Sequence, residues 1–374
     1  MSDRPRIVVV FGGRSVEHAV SIRSARSVLA AIDLDRYEVV PVAVDRDGTW
    51  FTSASPLGVR EGSDTSGERR SVRILPEPGR GFLLGSGAGW VAHEVHCVFP
   101  LIHGAGGEDG TLQGLLELAD LAYVGPGPLA SALAMDKAVA KRLLRQAGLP
   151  VLPDSVVTDA EWRADAGAVL RRLRSEQAEG PWFVKPSCGG SSVGATRAAA
   201  PDDLSAAIDT ALEYDLKALV ERALDAREIE ISVCGNDRPE VSVAGEIVPA
   251  REFYDYQSKY ADERTRLLVP APLDGALADR LGALALATFT TLGAAGMSRV
   301  DFLVEKSTGR PWISEMNTIP GFTDISMYPR LWEASGLPYR QLIDRLIELG
   351  RERFERRTRL QRGLTSGGAD RPVV

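Results

Sequence analysis

Asp301 sits on an apolar-alternating run from Met297 to Val304, and Glu315 and Asn317 sit on the next such run, Trp312 to Asn317. Between them, Lys306-Ser307-Thr308-Gly309-Arg310 reads as a hairpin turn. A three-residue loop Ser307-Thr308-Gly309 with glycine in the left-handed position is a favoured closure. That register puts Asp301 opposite Glu315 and Arg299 opposite Asn317, all four on one face. Opposed carboxylates with Cβ atoms about 5 Å apart destabilise a hairpin unless a cation sits between them. Oxygen donors of this kind suit Mg²⁺, which binds through one or two carboxylates and keeps water and substrate phosphates in its shell. The alternative is a solvated face whose acids pair with arginines, and a two-residue Thr-Gly loop would shift the register and separate the acids.

A second chemical segment is Lys185-Pro-Ser-Cys-Gly-Gly-Ser-Ser-Val-Gly194, dense in Gly and Ser after an apolar strand. Small residues let backbone N–H groups approach a phosphate, and Lys185 adds charge at the strand end. It matches neither a Walker A loop nor a Gly-x-Gly-x-x-Gly fingerprint, and a flexible hairpin tip is the plain alternative. Glu221 ends one strand, and Glu228 and Glu230 share a face of the next. Carboxylates so placed can accept from an adenine amino group or ribose hydroxyls, although each is also an ordinary strand residue. Glu252 to Tyr260 combines four aromatics with Lys259 and no clean period; such segments serve as lids that exclude water or as packed surface loops. His103 lies in the Gly-rich stretch Ile102 to Gly114, where it can bind a carboxylate or stand as a satisfied core histidine.

The elements that must hold these groups are legible in outline. Arg6 to Phe11 is an apolar strand followed by Gly12-Gly13 and a helix that Ser15 is expected to cap, an anion-accepting corner. Strands at 38–44 and 95–101 extend this into a small doubly wound domain. Residues 52–90, rich in Ser, Gly, Pro and Arg, read as irregular surface structure. Helix is expected from Leu129 to Ala147, stopped by Gly148 and Pro150. Strands at 181–184 and 219–221 flank a helix at 201–214. A last unit begins near Ile229 and closes with the helix Tyr339 to Arg356. The expected divisions are 1–128, 129–225 and 226–362, with a disordered tail at 363–374.

With 374 residues, 44% hydrophobic and 25% charged, the chain has the composition of a soluble globular protein of two or three domains. A net charge of −7 argues against nucleic acid or an anionic membrane as principal partner. Cys97, Cys188 and Cys234 show no paired spacing, which fits a reducing cytoplasm. The polar N-terminus is unlike a signal peptide, and the uncharged stretch 281–298 reads as a buried helix rather than a membrane span. Only six of the 44 basic residues are lysines, a hint that those retained serve where a compact ammonium is needed.

Read together, the segments Gly12-Gly-Arg-Ser-Val-Glu-His18, Met135-Asp-Lys137, 185–194, 253–260, Arg299-Val-Asp301 and Glu315-Met-Asn-Thr-Ile-Pro-Gly321 resemble the ATP-grasp enzymes and, among them, the D-alanine:D-alanine ligase family. The likeness spans nearly the whole chain. It implies an α/β fold, α+β in its C-terminal part: an ATP-grasp fold behind an N-terminal Rossmann-like domain. It also implies ATP-dependent joining of two D-alanines through a D-alanyl phosphate, for peptidoglycan precursor synthesis in the cytoplasm by a homodimer. ATP would be co-substrate, with Mg²⁺ or Mn²⁺ and room for K⁺ activation. By the resemblance, Lys137 and Lys185 hold nucleotide phosphates, Ser191 and Ser192 cover them, Lys259 approaches the γ-phosphate, and Glu221 and Glu228 take adenine and ribose. Asp301, Glu315 and Asn317 match metal ligands. Glu17 matches the acid at the first substrate's ammonium, tied to Ser191 and Tyr260, and His103 stands by that substrate's carboxylate. Arg299 and the N–H of Gly321 match oxyanion donors, and Ser326 a contact to the second carboxylate. Cys188 and Ala19 depart from the common pattern. Ligases that add D-lactate or D-serine are the near alternative, and a non-catalytic nucleotide-binding protein the remote one.

Overall fold

The computed structural model describes residues 4–53, 69–78, 81–86, 89–176, 180–249 and 265–361. The lid segment with Lys259 and Tyr260 and the tail 363–374 lie outside these residues.

The chain opens with β1 (Arg6–Gly12), α1 (His18–Ala31) and β2 (Glu38–Val44). β1 pairs in parallel with β2 and with a later strand at Cys97–Pro100. Ile7, Val8, Val9 and Val10 are all fully buried, the mark of a strand covered on both faces, which is why the segment reads as an unbroken apolar run. The stretch expected to be irregular instead carries four short strands, β3 (Trp50–Ser53), β4 (Arg69–Ile74), β5 (Phe82–Ser86) and β6 (Gly89–Ala92). They form an antiparallel meander that extends the sheet in the order β6-β5-β4-β3-β2-β1-β7, where β7 is Cys97–Pro100. In β4 exposed Arg and Ser surround one buried residue, Val72, and β5 is an apolar run of only three residues before Gly85, so the strand signal is thin.

After α2 (Thr111–Leu118), the expected helix 129–147 is two helices, α3 (Pro128–Met135) and α4 (Lys137–Gln146). Asp136 breaks the run: its extended backbone ends α3, and its side chain caps α4 by accepting from Val139 N–H. Asx residues favour caps over helix interiors because they offer the backbone a local hydrogen bond. β8 (Asp154–Thr158), α5 (Asp159–Glu176), β9 (Trp182–Pro186), β10 (Thr196–Ala198), α6 (Asp203–Leu212) and β11 (Lys217–Arg222) build a second sheet in the order β10-β9-β11-β8.

The third sheet, β14-β13-β12-β15-β16, is antiparallel and consists of β12 (Ala226–Gly235), β13 (Glu240–Val248), β14 (Arg266–Leu268), β15 (Gly296–Glu305) and β16 (Pro311–Asn317). The uncharged stretch enters it as α7 (Gly275–Thr291), whose Leu281, Ala285 and Phe289 pack on β12 and β15 residues. Among the described residues no helix is long and apolar enough to cross a membrane. α8 (Met327–Ala334) and α9 (Tyr339–Thr358) close the fold. Leu342, Ile343, Leu346 and Ile347 of α9 share one core with Ile7, Val9 and Phe99. The first sheet is therefore completed by the end of the chain.

Candidate active site

The hairpin of β15 and β16 pairs Asp301 with Glu315 and Arg299 with Asn317, as the sequence suggests, but by another route. The loop runs over four residues, Lys306 to Gly309, closed by Glu305 N–H donating to Arg310 O and Gly309 N–H to Glu305 O. Alone this would offset the acids by one residue. A bulge at Ser314 shifts the register back between Asp301 and Phe302, and bulges of this kind re-aim side chains beside active sites.

On that face the Arg299 guanidinium donates from both Nε and Nη2 to Asp301, each at 2.7 Å, and Asn317 Nδ2 donates to Asp301 Oδ2 at 2.9 Å. Arg299 Nε also lies 3.1 Å from Glu230 Oε2. Glu230 stands beside Asp301 in register, which lines up Glu230, Asp301 and Glu315 across three strands. Burial opposes the charge on Arg299, but Asp301 and Glu230 outweigh it and hold the guanidinium well above its ordinary pKa. Lys137 Nζ sits 3.1 Å from Glu315 Oε2. The acids are thus balanced by an arginine and a lysine. Two facing carboxylates and an amide oxygen are also a hard-cation donor set; for a metal to use it, Arg299 must yield part of Asp301.

Lys137 reaches this face because α4 starts where it does. Its backbone N–H donates to Ser187 O at 3.0 Å, and Ser187 Oγ donates to Asp136 Oδ1 at 2.6 Å. The helix start is thereby pinned to the end of β9, one residue past Lys185-Pro186. Lys185 Nζ lies 2.8 Å from Glu221 Oε2, while Glu221 Oε1 pairs with Lys141. Burial, with Lys141's charge next, pushes Lys185 down to about 7. Both oxygens of Glu221 are engaged by lysines at the cavity wall, and each keeps a lone pair that a base amino group could use.

Lys137, Lys185, Glu221, Asp301 and Glu315 line a cavity of about 240 Å³ between the second and third sheets, with Glu228, Ser191 and Ser192 on its wall and Phe183, Ile229 and Leu303 supplying apolar surface. A second cavity, about 450 Å³, is lined by Glu17, His103, Arg299, Asn317, Gly321 and Ser326. Gly190, Ser191, Glu230 and Glu315 line both, so the two spaces meet at the acid face.

The Gly/Ser loop is docked by Glu17, which accepts from Ser191 Oγ. Ser191 and Ser192 hold left-handed φ values of 51° and 58°, strain that clusters at ligand-handling loops. A Cβ on Gly190 would lie 2.6 Å from Glu17 Oε2, and one on Gly104 2.7 Å from it, so both glycines make room for the carboxylate. Ser15 does not cap α1; its Oγ donates to His103 O and accepts from Glu17 N–H.

His103 is buried with both ring nitrogens engaged. Nδ1 donates to Ile319 O and Nε2 meets Ser24 Oγ, both at 2.9 Å. A hydrogen bond from His103 to a substrate carboxylate would replace one of these two. Burial disfavours the charged ring, yet Glu108, 3.8 Å from Nδ1, outweighs it and raises the His103 pKa. His103 thus lines the second cavity as a hydrogen-bonded ring beside Glu108. Sequence reasoning missed Glu108 and Lys141, and gave Glu230 a place only among the adenine and ribose acceptors; the signals for the first two were Glu108's place in the same Gly-rich loop and the scarcity of lysine.

Ser326 precedes α8, and its Oγ accepts from Thr323 N–H at 3.0 Å. It stands 3.1 Å from where a Cβ on Gly321 would be. Gly321, Ser326 and the N-terminus of α8 form one rim of the second cavity.

The family profiles for the D-ala D-ala ligase N-terminus and C-terminus match residues 6–126 and 143–348. The chain belongs to the D-alanine:D-alanine ligase family. Among its relatives in that family, the D-alanine--D-alanine ligase of Heliobacterium modesticaldum is 44% identical over 355 residues, 94% of this chain and 96% of that protein. The solved D-alanine-D-alanine ligase from Coxiella burnetii superposes with a TM-score of 0.84 at 33% identity, covering 96% of this chain and 97% of that one. The VanG D-Ala:D-Ser ligase from Enterococcus faecalis gives 0.83 at 33% identity, covering 93% and 100%. An α/β ATP-grasp architecture behind a doubly wound sheet is common to this chain and these ligases.

Proposed function

We propose that this chain joins two D-alanines into D-alanyl-D-alanine with cleavage of ATP to ADP and phosphate, a step of peptidoglycan precursor synthesis. The observation that carries the reading is the meeting of the two cavities at Glu315, Glu230 and Ser191. A nucleotide in the first would present its terminal phosphate to a carboxylate in the second.

On this reading the carboxylate of the first D-alanine attacks the γ-phosphorus, giving D-alanyl phosphate and ADP. The amine of the second D-alanine, having lost a proton, then attacks the acyl carbon, and phosphate leaves from the tetrahedral intermediate. Phosphoryl transfer of this kind is largely positioning and charge neutralisation. Lys137 and Lys185 supply cations to the phosphates, and Ser191 and Ser192 cover them. Glu228 suits the ribose hydroxyls from the cavity wall. A divalent metal, Mg²⁺ or Mn²⁺, on Asp301, Glu315 and Asn317 would neutralise phosphate charge.

Glu17 receives the first substrate's ammonium, and His103, on the wall of the same cavity, stands by its carboxylate. Arg299 and Gly321 N–H stabilise the oxyanion, as donors in a water-excluded site do. Ser326 and the first turn of α8 hold the second carboxylate, since helix N-termini accept anions. The γ-phosphate contact of Lys259 and the shielding of an acyl phosphate that open water would hydrolyse belong to this reading through the family resemblance, and Lys259 and Tyr260 lie outside the described residues. A cytoplasmic homodimer with K⁺ activation belongs to the same reading.

Phosphate release from ATP and Mg²⁺, with and without D-alanine, tests it: release is expected only with D-alanine. Release without it, or none with it, defeats the proposal. Product analysis with D-alanine, D-serine and D-lactate supplied together should give mainly the D-alanyl-D-alanine dipeptide, and omission of K⁺ reports on the monovalent cation.

A further inference from the structure

Lys141 is 2% exposed and does not line the nucleotide cavity, and no step above uses it. It lies one helical turn beyond Lys137 on α4, so both lysines leave the same face. Its ammonium pairs with Glu221 Oε1 and lies 3.4 Å from Asp154 Oδ1. Asp154 is matched separately by Arg145. Glu221 thus carries two ammonium groups, the buried Lys141 on Oε1 and the cavity-lining Lys185 on Oε2.

We infer that Lys141 is a positioning residue for the nucleotide: by occupying one oxygen of Glu221, it lets that carboxylate hold Lys185 in place without cancelling its charge. The inference rests on the nucleotide reading of the first cavity. With both lysines present, two cations on one carboxylate leave a net positive charge toward the phosphates. Without Lys141, Glu221 and Lys185 form a neutral pair, and the carboxylate itself faces an incoming polyphosphate. In a buried site such a change of charge is felt strongly, because little water screens it. Lys141 is felt at Lys185: after burial it is the largest influence on that ammonium, ahead of Glu315, Lys137 and Asp154, and it lowers the pKa as a second cation on one carboxylate does, an effect that incoming phosphates reverse by favouring the charged form. A compact ammonium suits the enclosed space better than a guanidinium fork. If Lys141 were only a buried counter-ion to Glu221, its removal would lower stability and leave nucleotide affinity unchanged.

A double-mutant cycle separates the two roles. Binding of a non-hydrolysable ATP analogue with Mg²⁺ is measured by calorimetry on the full chain as wild type, K141M, E221Q and K141M/E221Q. K141M should weaken the analogue about tenfold or more while the KM for D-alanine stays within about twofold. In the E221Q background, adding K141M should change affinity less than about threefold, because the carboxylate to be masked is gone. Equal losses in both backgrounds, or no loss in K141M, overturn the inference. If K141M does not fold, the two proteins lacking Glu221 decide alone: matching affinities support the role and a tenfold gap overturns it. Failure of the wild type to bind the analogue would defeat the nucleotide reading and this inference with it, whereas wild-type binding with an additive cycle defeats only the latter.

Discussion

Lys137, the first residue of α4, holds Glu315 of the distant hairpin, with Nζ 3.1 Å from Oε2. A residue expected to bind phosphates is thereby fixed against one expected to bind the metal. Burial lowers the Lys137 pKa, but Glu315 outweighs it and the ammonium ends up more basic than usual. Lys137 is therefore charged throughout the physiological range, ready to move from carboxylate to phosphate.

Removal of either acid should abolish turnover without unfolding the chain. Asp301→Asn and Glu315→Gln each keep the side-chain shape but lose the charge, and ATP turnover should fall about 100-fold or more. Melting temperature should drop by only a few degrees, since Arg299 and Lys137 each lose one partner. Phosphate release and thermal unfolding measure the two effects; near-normal turnover in both variants would sink the metal assignment.

Nucleotide binding should depend on pH through Lys185. With its pKa pushed down to about 7 by burial first and Lys141 second, Lys185 in the empty site loses its proton as pH rises through neutrality. Phosphates favour the charged form, so binding at pH 8 should take up a proton, and affinity should fall as pH rises above 7 by at most about tenfold per unit. The groups facing Lys185 are Lys137, Lys141, Asp154, Glu221 and Glu315. Calorimetry in buffers of different protonation enthalpy reads the proton directly, and no uptake at pH 8 would contradict the assignment.

Gly190→Ala places a methyl 2.6 Å from Glu17 Oε2. The carboxylate sits at the end of a flexible side chain, so it can swing aside, and stability should change by only about 1 kcal/mol. The Ser191 contact would be lost with that swing. The KM for D-alanine should therefore rise by about tenfold or more, with a smaller change for ATP. An unchanged D-alanine KM would show that Glu17 does not anchor that substrate.

Leu346→Ala removes a fully buried side chain of α9 from the core it shares with Ile7 and Val9. A cost of about 2–5 kcal/mol is expected, read as a lower denaturant midpoint. For the same reason residues 1–128 expressed alone should not fold cooperatively, because one face of β1 would lie open. A sharp unfolding transition in that fragment would refute the shared core.

What the amino-acid sequence determined by itself is what neighbours along the chain encode. The buried run of β1, the strand limits of β2, the closing amphipathic helix and the lysine and carboxylate motifs are all set by period, turn chemistry and residue type. The Asp301–Glu315 pairing was also legible, although a longer loop and the Ser314 bulge each moved the register and cancelled. The meander of β3 to β6 was not legible, because its alternation is weak over short strands, and neither was the break at Asp136, which needs Ser187 from another element to hold it. Tertiary structure alone decided the partners: Glu221 between lysines of α4 and β9, His103 closed by Ser24 and Ile319, and α9 in the first sheet's core. Such choices follow from which charges and apolar faces are buried together, and burial is a property of the packed chain rather than of any stretch of it.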